Sequence, residues 1–301
     1  NELVRKAAAE LGYRPNVLAR SLITGKSRMI GLVVAYLDNY FYPEALELLS
    51  SALQKRGYHV LIFMSGNKEG DIAEAVDEIL DYQVDGIIAA SVSMSSDLAK
   101  RCTSAGVPVV LFNRTQDDDR LSAVTSDNFQ GGQKVARFLL AGGHKRIGYI
   151  AGWEGASTQR DREKGFTEEL VRNGQELYAR EVGNFNSDEA RQAARTMFSK
   201  QNFPDAVFVA NDAMAIAVID VIRFELGLQV PEQVSVVGYD DVPISSWPAY
   251  DLTTVRQPAN RMVAETVSIL IESIENKTTT ARRVEIDGPL MVRGSAKISD
   301  K

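Results

Sequence analysis

From Met29 onward the chain repeats one unit, a short run of aliphatic and β-branched residues followed by a longer stretch with apolar side chains at helical spacing. That alternation is the pattern of parallel strands joined by crossover helices. Candidate strands are Ile30–Ala35, His59–Met64, Gly86–Ala90, Val107–Phe112, Ile147–Ala151, Ala206–Ala210 and Val234–Gly238. Each is almost wholly apolar, and strands covered by helices on both faces lose the alternation of inward and outward residues, so these runs imply sheets buried within their lobes. Leu46, Leu49 and Leu53 fall at helical spacing after Pro43, and Gly57 follows as a stop, which predicts a helix over Pro43–Arg56. A long helical pattern runs from Asn260 to Glu275. A chain of 301 residues holds about two domains. The Gly142-Gly143 pair precedes a fresh strand and marks the first change of lobe, and a second half repeats the theme through Asp240 before Pro243 and Pro248 interrupt it. The expected fold class is α/β, with two similar doubly wound parallel-sheet lobes.

Composition narrows the function classes. Hydrophobic residues make up 45% and charged residues 25%, the usage of a globular chain rather than a disordered one. No apolar run approaches the roughly 18 residues needed to span a bilayer, and residues 1–27 lack the apolar block of a secretory signal. A cytoplasmic protein with no membrane partner is expected. Cys102 is the only cysteine, so one chain has neither an internal disulfide nor a multi-thiolate metal site, and no metal or cofactor is expected. Catalytic signatures are lacking too: His59 and His144 have no cysteine or serine motif beside them, and GxSxG and GxGxxG are absent. Gly25-Lys26-Ser27 has the end of a phosphate loop, but Arg20 stands where its first glycine is required and no strand precedes it.

Residues 1–28 carry six basic and two acidic side chains, a balance of +4 against a chain total of -6, so the remainder is at -10. This suits either an arm that meets a polyanion or an ordinary charged terminal helix. Leu3, Val4, Ala7, Ala8 and Leu11 trace one helical face that Gly12 can end, Tyr13-Arg14-Pro15-Asn16 makes a turn, and Val17–Leu22 forms a second apolar-basic segment of barely two turns. Isolated helices shorter than about 12 residues are marginal in water, so this one folds only when something packs against it.

Residues 7–34, AAAELGYRPNVLARSLITGKSRMIGLVV, closely resemble the head-to-body junction of lac-repressor family regulators. Further matches follow in order: DNFQGG from Asp127, GHKRIGYIAG from Gly143, RxxGF from Arg162, PDAVFVANDAMA from Pro204, VPEQVSVVGYDD from Val230 and LTTVRQP from Leu252. Ala217 departs from the glycine common after the AND motif. The resemblance implies a body of the type I periplasmic-binding-protein kind, preceded by the remnant of an all-α DNA-binding head and a hinge helix. It implies a head-and-hinge segment over 1–27, a first lobe over 28–143 and 254–281, and a second over 144–253 and 282–301. A complete member carries a helix-turn-helix ahead of Asn1. In a homodimer, two copies of the hinge would meet over the minor groove of operator DNA, with Asn16, Ala19 and Arg20 near the backbone and Leu22 as the wedge that unstacks a base step. The alternative is that Leu18 and Leu22 only cover the top of the body. The dimer surface is expected on the first lobe, chiefly on the Pro43–Arg56 helix.

In open α/β sheets, ligands bind beyond the carboxyl ends of strands. The resemblance places effector contacts at Tyr40 and Phe41 after the first strand. Asp127 opens the next candidate element, as a helix cap, a ligand contact or both. Thr158 and Arg162 lie four apart and share a helical face. Arg162 matches the family's effector arginine, with a surface ion pair as the alternative. Asn211 and Asp240 match inward-facing polar positions, Phe208 is a possible stacking ring, and Trp247 is either an apolar platform or core. Carboxylates, an arginine and aromatic faces suit a small carbohydrate effector, a sugar or sugar acid. Phe41 and Phe208 could stack on a nucleobase, but Ala156 stands where the purine-responsive branch of the family implies an arginine. The competing class is a sugar-binding receptor of a membrane importer, which shares the two-lobed body. Such a receptor would open with a signal sequence or directly with the first strand, whereas this chain opens with a basic helix and ARSL.

Overall fold

The computed structural model describes residues 26–298 apart from 36, 67–68, 93, 117–119 and 277–279. The expected hinge contacts Asn16, Ala19, Arg20 and Leu22 therefore lie outside the described residues. In chain order the elements are β1 (Met29–Val34), α1 (Phe41–Lys55), β2 (His59–Met64), α2 (Glu69–Asp81), β3 (Gly86–Ala90), α3 (Ser96–Ser104), β4 (Val109–Phe112), β5 (Ser122–Ser126) and α4 (Asn128–Ala141). They continue with β6 (Ile147–Ala151), α5 (Ser157–Arg172), β7 (Ala179–Val182), α6 (Ser187–Phe198), β8 (Ala206–Val209) and α7 (Asp212–Asp220). The chain closes with β9 (Ser235–Asp240), β10 (Thr253–Arg256), α8 (Ala259–Asn276), β11 (Arg283–Ile286) and β12 (Leu290–Met291).

Two six-stranded sheets result, ordered β11-β5-β4-β3-β1-β2 and β12-β10-β9-β8-β6-β7. Every pairing is parallel except β10 with β12. In the first sheet, successive residues feed opposite cores. Ile30, Leu32 and Val34, with Ile88, Ala90, Val110 and Phe112, face α1 and α8. Val33, with Ile87, Ala89, Val109 and Leu111, faces α2 and α3. Both sets are apolar because both faces are covered, and each fully buried Leu or Ile contributes about 1.5–3 kcal/mol. The end of α1 is set by Gly57, whose φ of 78° lets its N–H reach Gln54 O at 2.9 Å while Tyr58 N–H reaches Leu53 O at 3.0 Å.

Three expectations are corrected. The strand β2 lies at the edge of its sheet, and Ile62 and Met64 are exposed, so an apolar run does not guarantee a buried strand. The change of lobe comes before α4 and not at Gly142-Gly143, because Val135, Ala136 and Leu139 of α4 belong to the second lobe's core with Tyr149, Phe166 and Phe208. The stretch 282–301 is not wholly second-lobe: Arg283–Ile286 pairs with β5 in the first sheet, and only then does the chain return to form β12. The chain thus crosses between lobes three times, after β5, after β10 and after β11. The crossings lie side by side, with Asp127 N–H bonded to Ile286 O at 3.0 Å and Arg256 N–H to Pro289 O at 2.9 Å.

Two glycines decide where α4 goes. A Cβ on Gly132 would lie 2.2 Å from the Arg162 carbonyl oxygen, and one on Gly165 would lie 2.0 Å from the Phe129 carbonyl oxygen. Helices α4 and α5 therefore meet backbone to backbone, as only glycine permits. Gly132→Val should destabilise the protein by at least about 3 kcal/mol in urea denaturation, since the clashing atoms are backbone and cannot rotate away. Stability within experimental error of the parent would mean that the helices pack by another route.

Candidate ligand-binding cleft

Polar side chains that are sparse elsewhere in the interior gather where the two lobes meet. Four strand ends and one helix deliver them. Beyond β1, Asn39 turns its amide onto Asp240, with Nδ2 donating to Oδ2 at 2.9 Å. Beyond β4, Arg114 donates from Nη1 to Thr158 Oγ1 at 3.0 Å, and Thr115 N–H donates to Ser157 Oγ at 2.9 Å. Each of these bonds joins the first lobe to the second. Beyond β10, Gln257 Nε2 donates to Asp240 Oδ1 at 2.6 Å.

Arg162 is the centre of the second-lobe side. It donates from Nε to Asn128 Oδ1 at 2.8 Å and from Nη1 to Ala210 O at 2.5 Å, and its Nη2 lies 3.6 Å from Asp240 Oδ1. Its guanidinium carbon sits 3.6 Å from the centre of the Tyr239 ring, a stacking geometry that a planar cation favours. Asp240 and Asp241 follow the same strand but diverge. Their φ values of 130° and 58° send the first carboxylate to Arg162 and the second to Arg256 and Arg293, each at 2.6 Å. Such backbone conformations cost about 1–3 kcal/mol each and persist only where surrounding contacts enforce them.

Burial raises the pKa of Asp240, and the charge of Arg162 opposes that rise more than the bonds from Asn39 and Gln257 do. Asp212 is raised by burial and then by the charge of Asp240. It is the knot of the second lobe, accepting from Thr254 Oγ1 at 2.6 Å, Ser245 Oγ at 2.7 Å and Val242 N–H at 3.1 Å.

Of the sequence candidates, Thr158, Arg162, Asn211 and Asp240 are buried at this junction. Asn211 caps α7 through Oδ1, which accepts from Met214 N–H at 3.0 Å, while its Nδ2 has no hydrogen-bond partner. Asp127 caps α4, accepting from Gln130 N–H at 2.9 Å. Tyr40 and Trp247 stand apart from the buried cluster, 53% and 55% exposed. The two stacking candidates are packed against core aromatics. Phe41 stacks on Phe112 at 6.2 Å, and Phe208 lies 5.3 Å from Tyr149 and 5.0 Å from Phe166. The nucleobase alternative accordingly draws no support from their packing. Residues that sequence did not single out include Asn39, Asn113, Arg114 and Gln257. Their common signal was position directly after an apolar run, which also marks many inert loop residues. Asn113 holds Tyr42 Oη through Nδ2 at 3.1 Å and leaves its Oδ1 unpaired. Among the described residues no group of three or more His, Cys, Asp or Glu could hold a metal ion, and no helix is long and apolar enough to cross a membrane.

A two-lobed α/β body with three adjacent crossings and a polar cleft between the lobes defines the type I periplasmic-binding-protein architecture. Residues 136–296 match the family model for a periplasmic binding protein-like domain. The HTH-type transcriptional regulator CelR of Thermobifida fusca is 33% identical over 98% of this chain and 88% of its own length. A solved structure of the transcriptional regulator CelR–cellobiose complex is similar with a TM-score of 0.82 and 30% identity, covering 98% of this chain and 90% of the other. The lac repressor dimer bound to operator and the anti-inducer ONPF is similar with a TM-score of 0.88 and 26% identity, covering 98% of this chain and 89% of the other. The chain belongs to the LacI family of transcription regulators.

The Arg162–Asp240 pair has a pH signature. With Arg162 replaced by Met, burial acts on Asp240 unopposed and its pKa moves further above the unfolded value. A carboxyl group raised on folding contributes stability at low pH that is lost as pH rises through the folded pKa. The stability gap between parent and Arg162→Met should therefore be smallest at the acid end of the carboxylate range and widen toward neutrality, by about 3 kcal/mol. Urea titrations across that range read the gap directly, and a pH-independent gap would show that Asp240 is not the partner of Arg162.

Proposed function

We propose that this chain is the ligand-sensing body of a cytoplasmic repressor that binds operator DNA as a homodimer, with operator affinity set by a sugar or sugar acid held between its lobes. The observation that carries this reading is the buried Arg162–Asp240 pair beside the unpaired amide of Asn211. A charged fork, a carboxylate and a free donor in one dry cleft are the groups that hydroxyl-rich ligands need, and they are costly to bury for structure alone. The similarity to a regulator solved with cellobiose, and to the lac repressor solved as a dimer on operator, supports the ligand class and the partners.

The proposed contacts are Thr158, Arg162, Asn211 and Asp240, with Tyr40 and Trp247 at the rim, Phe41 and Phe208 supporting the walls, and Asp127 fixing the start of α4. The bonds Asn39–Asp240 and Arg114–Thr158 join the lobes, so a ligand inserted there changes how the lobes sit. Movement of the first lobes changes the spacing of two hinge segments in the dimer. A coupling of about 1–3 kcal/mol alters operator affinity by roughly 5- to 150-fold, and operator alters ligand affinity by the same factor. The exposed apolar edge at β2, with Ile62 and Met64, supports the first lobe as the dimer surface.

A thermal-shift screen of sugars, sugar acids, polyols and nucleobases identifies the ligand by its rise in melting temperature. Calorimetry with that ligand should then show Arg162→Ala binding at least about thirtyfold more weakly with the fold intact; unchanged affinity would remove Arg162 from the site. In the complete gene product, Leu22→Ala should weaken operator binding in a salt-controlled anisotropy titration without changing ligand affinity. Equal DNA affinity would refute the wedge.

A further inference from the structure

We infer that the ligand of this cleft is anionic, and that its carboxylate or phosphate is held by Arg114 together with the N-terminus of α5. The inference rests on the cleft being the effector site and adds the charge of what it takes. Arg114 is 1% exposed, among the largest fully buried side chains of the protein. Its contacts are all neutral: Thr158 Oγ1 at 3.0 Å from Nη1, the Ser91 carbonyl at 3.4 Å from Nε, and Ser91 Oγ at 3.4 Å from Nη2. The Trp153 and Phe185 rings lie 6.0 and 5.9 Å from its guanidinium carbon. Among the described residues no carboxylate pairs with it. The other buried arginine, Arg162, has Asp240. A buried cation without a counter-charge is strongly disfavoured, and a guanidinium cannot shed its proton to escape the penalty. Two of the three bonds are also near the limiting length, so much of the five-donor fork is left for another acceptor.

The second observation is what Arg114 points toward. Thr158 is the second residue of α5, whose N-cap, Ala156, makes no side-chain hydrogen bond and whose first turn has no acidic residue. The positive end of a helix and a buried cation therefore share one site with no negative charge between them. Each alone favours an anion, and together they repel until one is supplied. The loop carrying Arg114 also holds unpaired polar atoms, Asn113 Oδ1 and both ends of the Gln116 amide. They provide an acceptor and a donor for hydroxyl groups adjoining the charge. Because Arg114 comes from the first lobe and α5 from the second, the anion bridges the lobes, and ligand charge is read as lobe position.

The test uses inorganic phosphate first, as the smallest probe. At constant ionic strength, exchanging chloride for phosphate should raise the melting temperature of the parent by several degrees more than that of Arg114→Gln. An equal rise in both proteins is the general salting effect and overturns the site. Where Arg114→Gln fails to fold, Arg114→Lys and Thr158→Val serve, the first keeping charge without the fork and the second removing the neighbouring hydroxyl. Calorimetry with D-glucose, D-glucuronate and glucose 6-phosphate then separates the sources of charge. A charged sugar should bind the parent at least about tenfold more tightly than glucose, with the advantage lost in Arg114→Gln, and the better of the two names carboxylate or phosphate. If glucose binds as tightly as both charged sugars through an Arg162-dependent site, the charge assignment falls and the effector reading stands. If neither phosphate nor any sugar responds to Arg114 or Arg162, both fall.

Discussion

The cleft depends on a buried guanidinium. Arg162 reaches the start of α4 through Asn128, the end of β8 through the Ala210 carbonyl, and the end of β9 through Asp240 and the Tyr239 ring. Elements that have no sequence proximity are thereby fixed at one point, at the mouth of the second lobe. The arrangement is possible because α4 and α5 touch backbone to backbone at Gly132 and Gly165. With side chains there, the helices would separate and Arg162 would lose Asn128. Packing and polar chemistry are thus one constraint: the glycines bring the arginine into reach, and the arginine satisfies the buried polar groups that close approach creates.

Conformational response follows from where the chain crosses. Three crossings lie side by side and are hydrogen-bonded to each other, so rotation of one lobe against the other is confined to a narrow strip. Bonds across the cleft, Asn39 to Asp240 and Arg114 to Thr158, oppose opening. Both involve groups that a ligand would also use, so ligand binding and lobe position draw on the same hydrogen bonds, which gives a small molecule differential contact with two arrangements.

Legibility in the sequence varied with the kind of residue. Strands of the two sheets were readable because covered strands must be apolar throughout, and α1 and α8 because their spacing and stops are local properties. Thr158, Arg162, Asn211 and Asp240 were readable because each follows or faces a strand end within a recognisable string. Arg114 was not, since an arginine after an apolar run is far more often a solvated surface residue, and its burial is known only from Ser91, Thr158, Trp153 and Phe185 around it. Phe41 and Phe208 carry the right chemistry for a ligand face, yet Phe112, Tyr149 and Phe166 occupy the space beside them. The lobe boundary was misplaced at Gly142-Gly143 because a glycine pair marks a turn and says nothing about which sheet the preceding helix covers.

The sequence by itself determined the α/β class, the two-lobed repeat, the membership in a regulator family and the chemistry available to a cleft, because periodicity and motif order are properties of neighbours along the chain. Tertiary structure alone decided which lobe owns α4 and β11, that β2 stands exposed at an edge, that Asp240 and Asp241 face opposite ways, and that Arg114 is buried without a counter-charge. Those outcomes depend on which surfaces meet in space. Burial and charge compensation are set by partners from distant segments, so no local pattern encodes them.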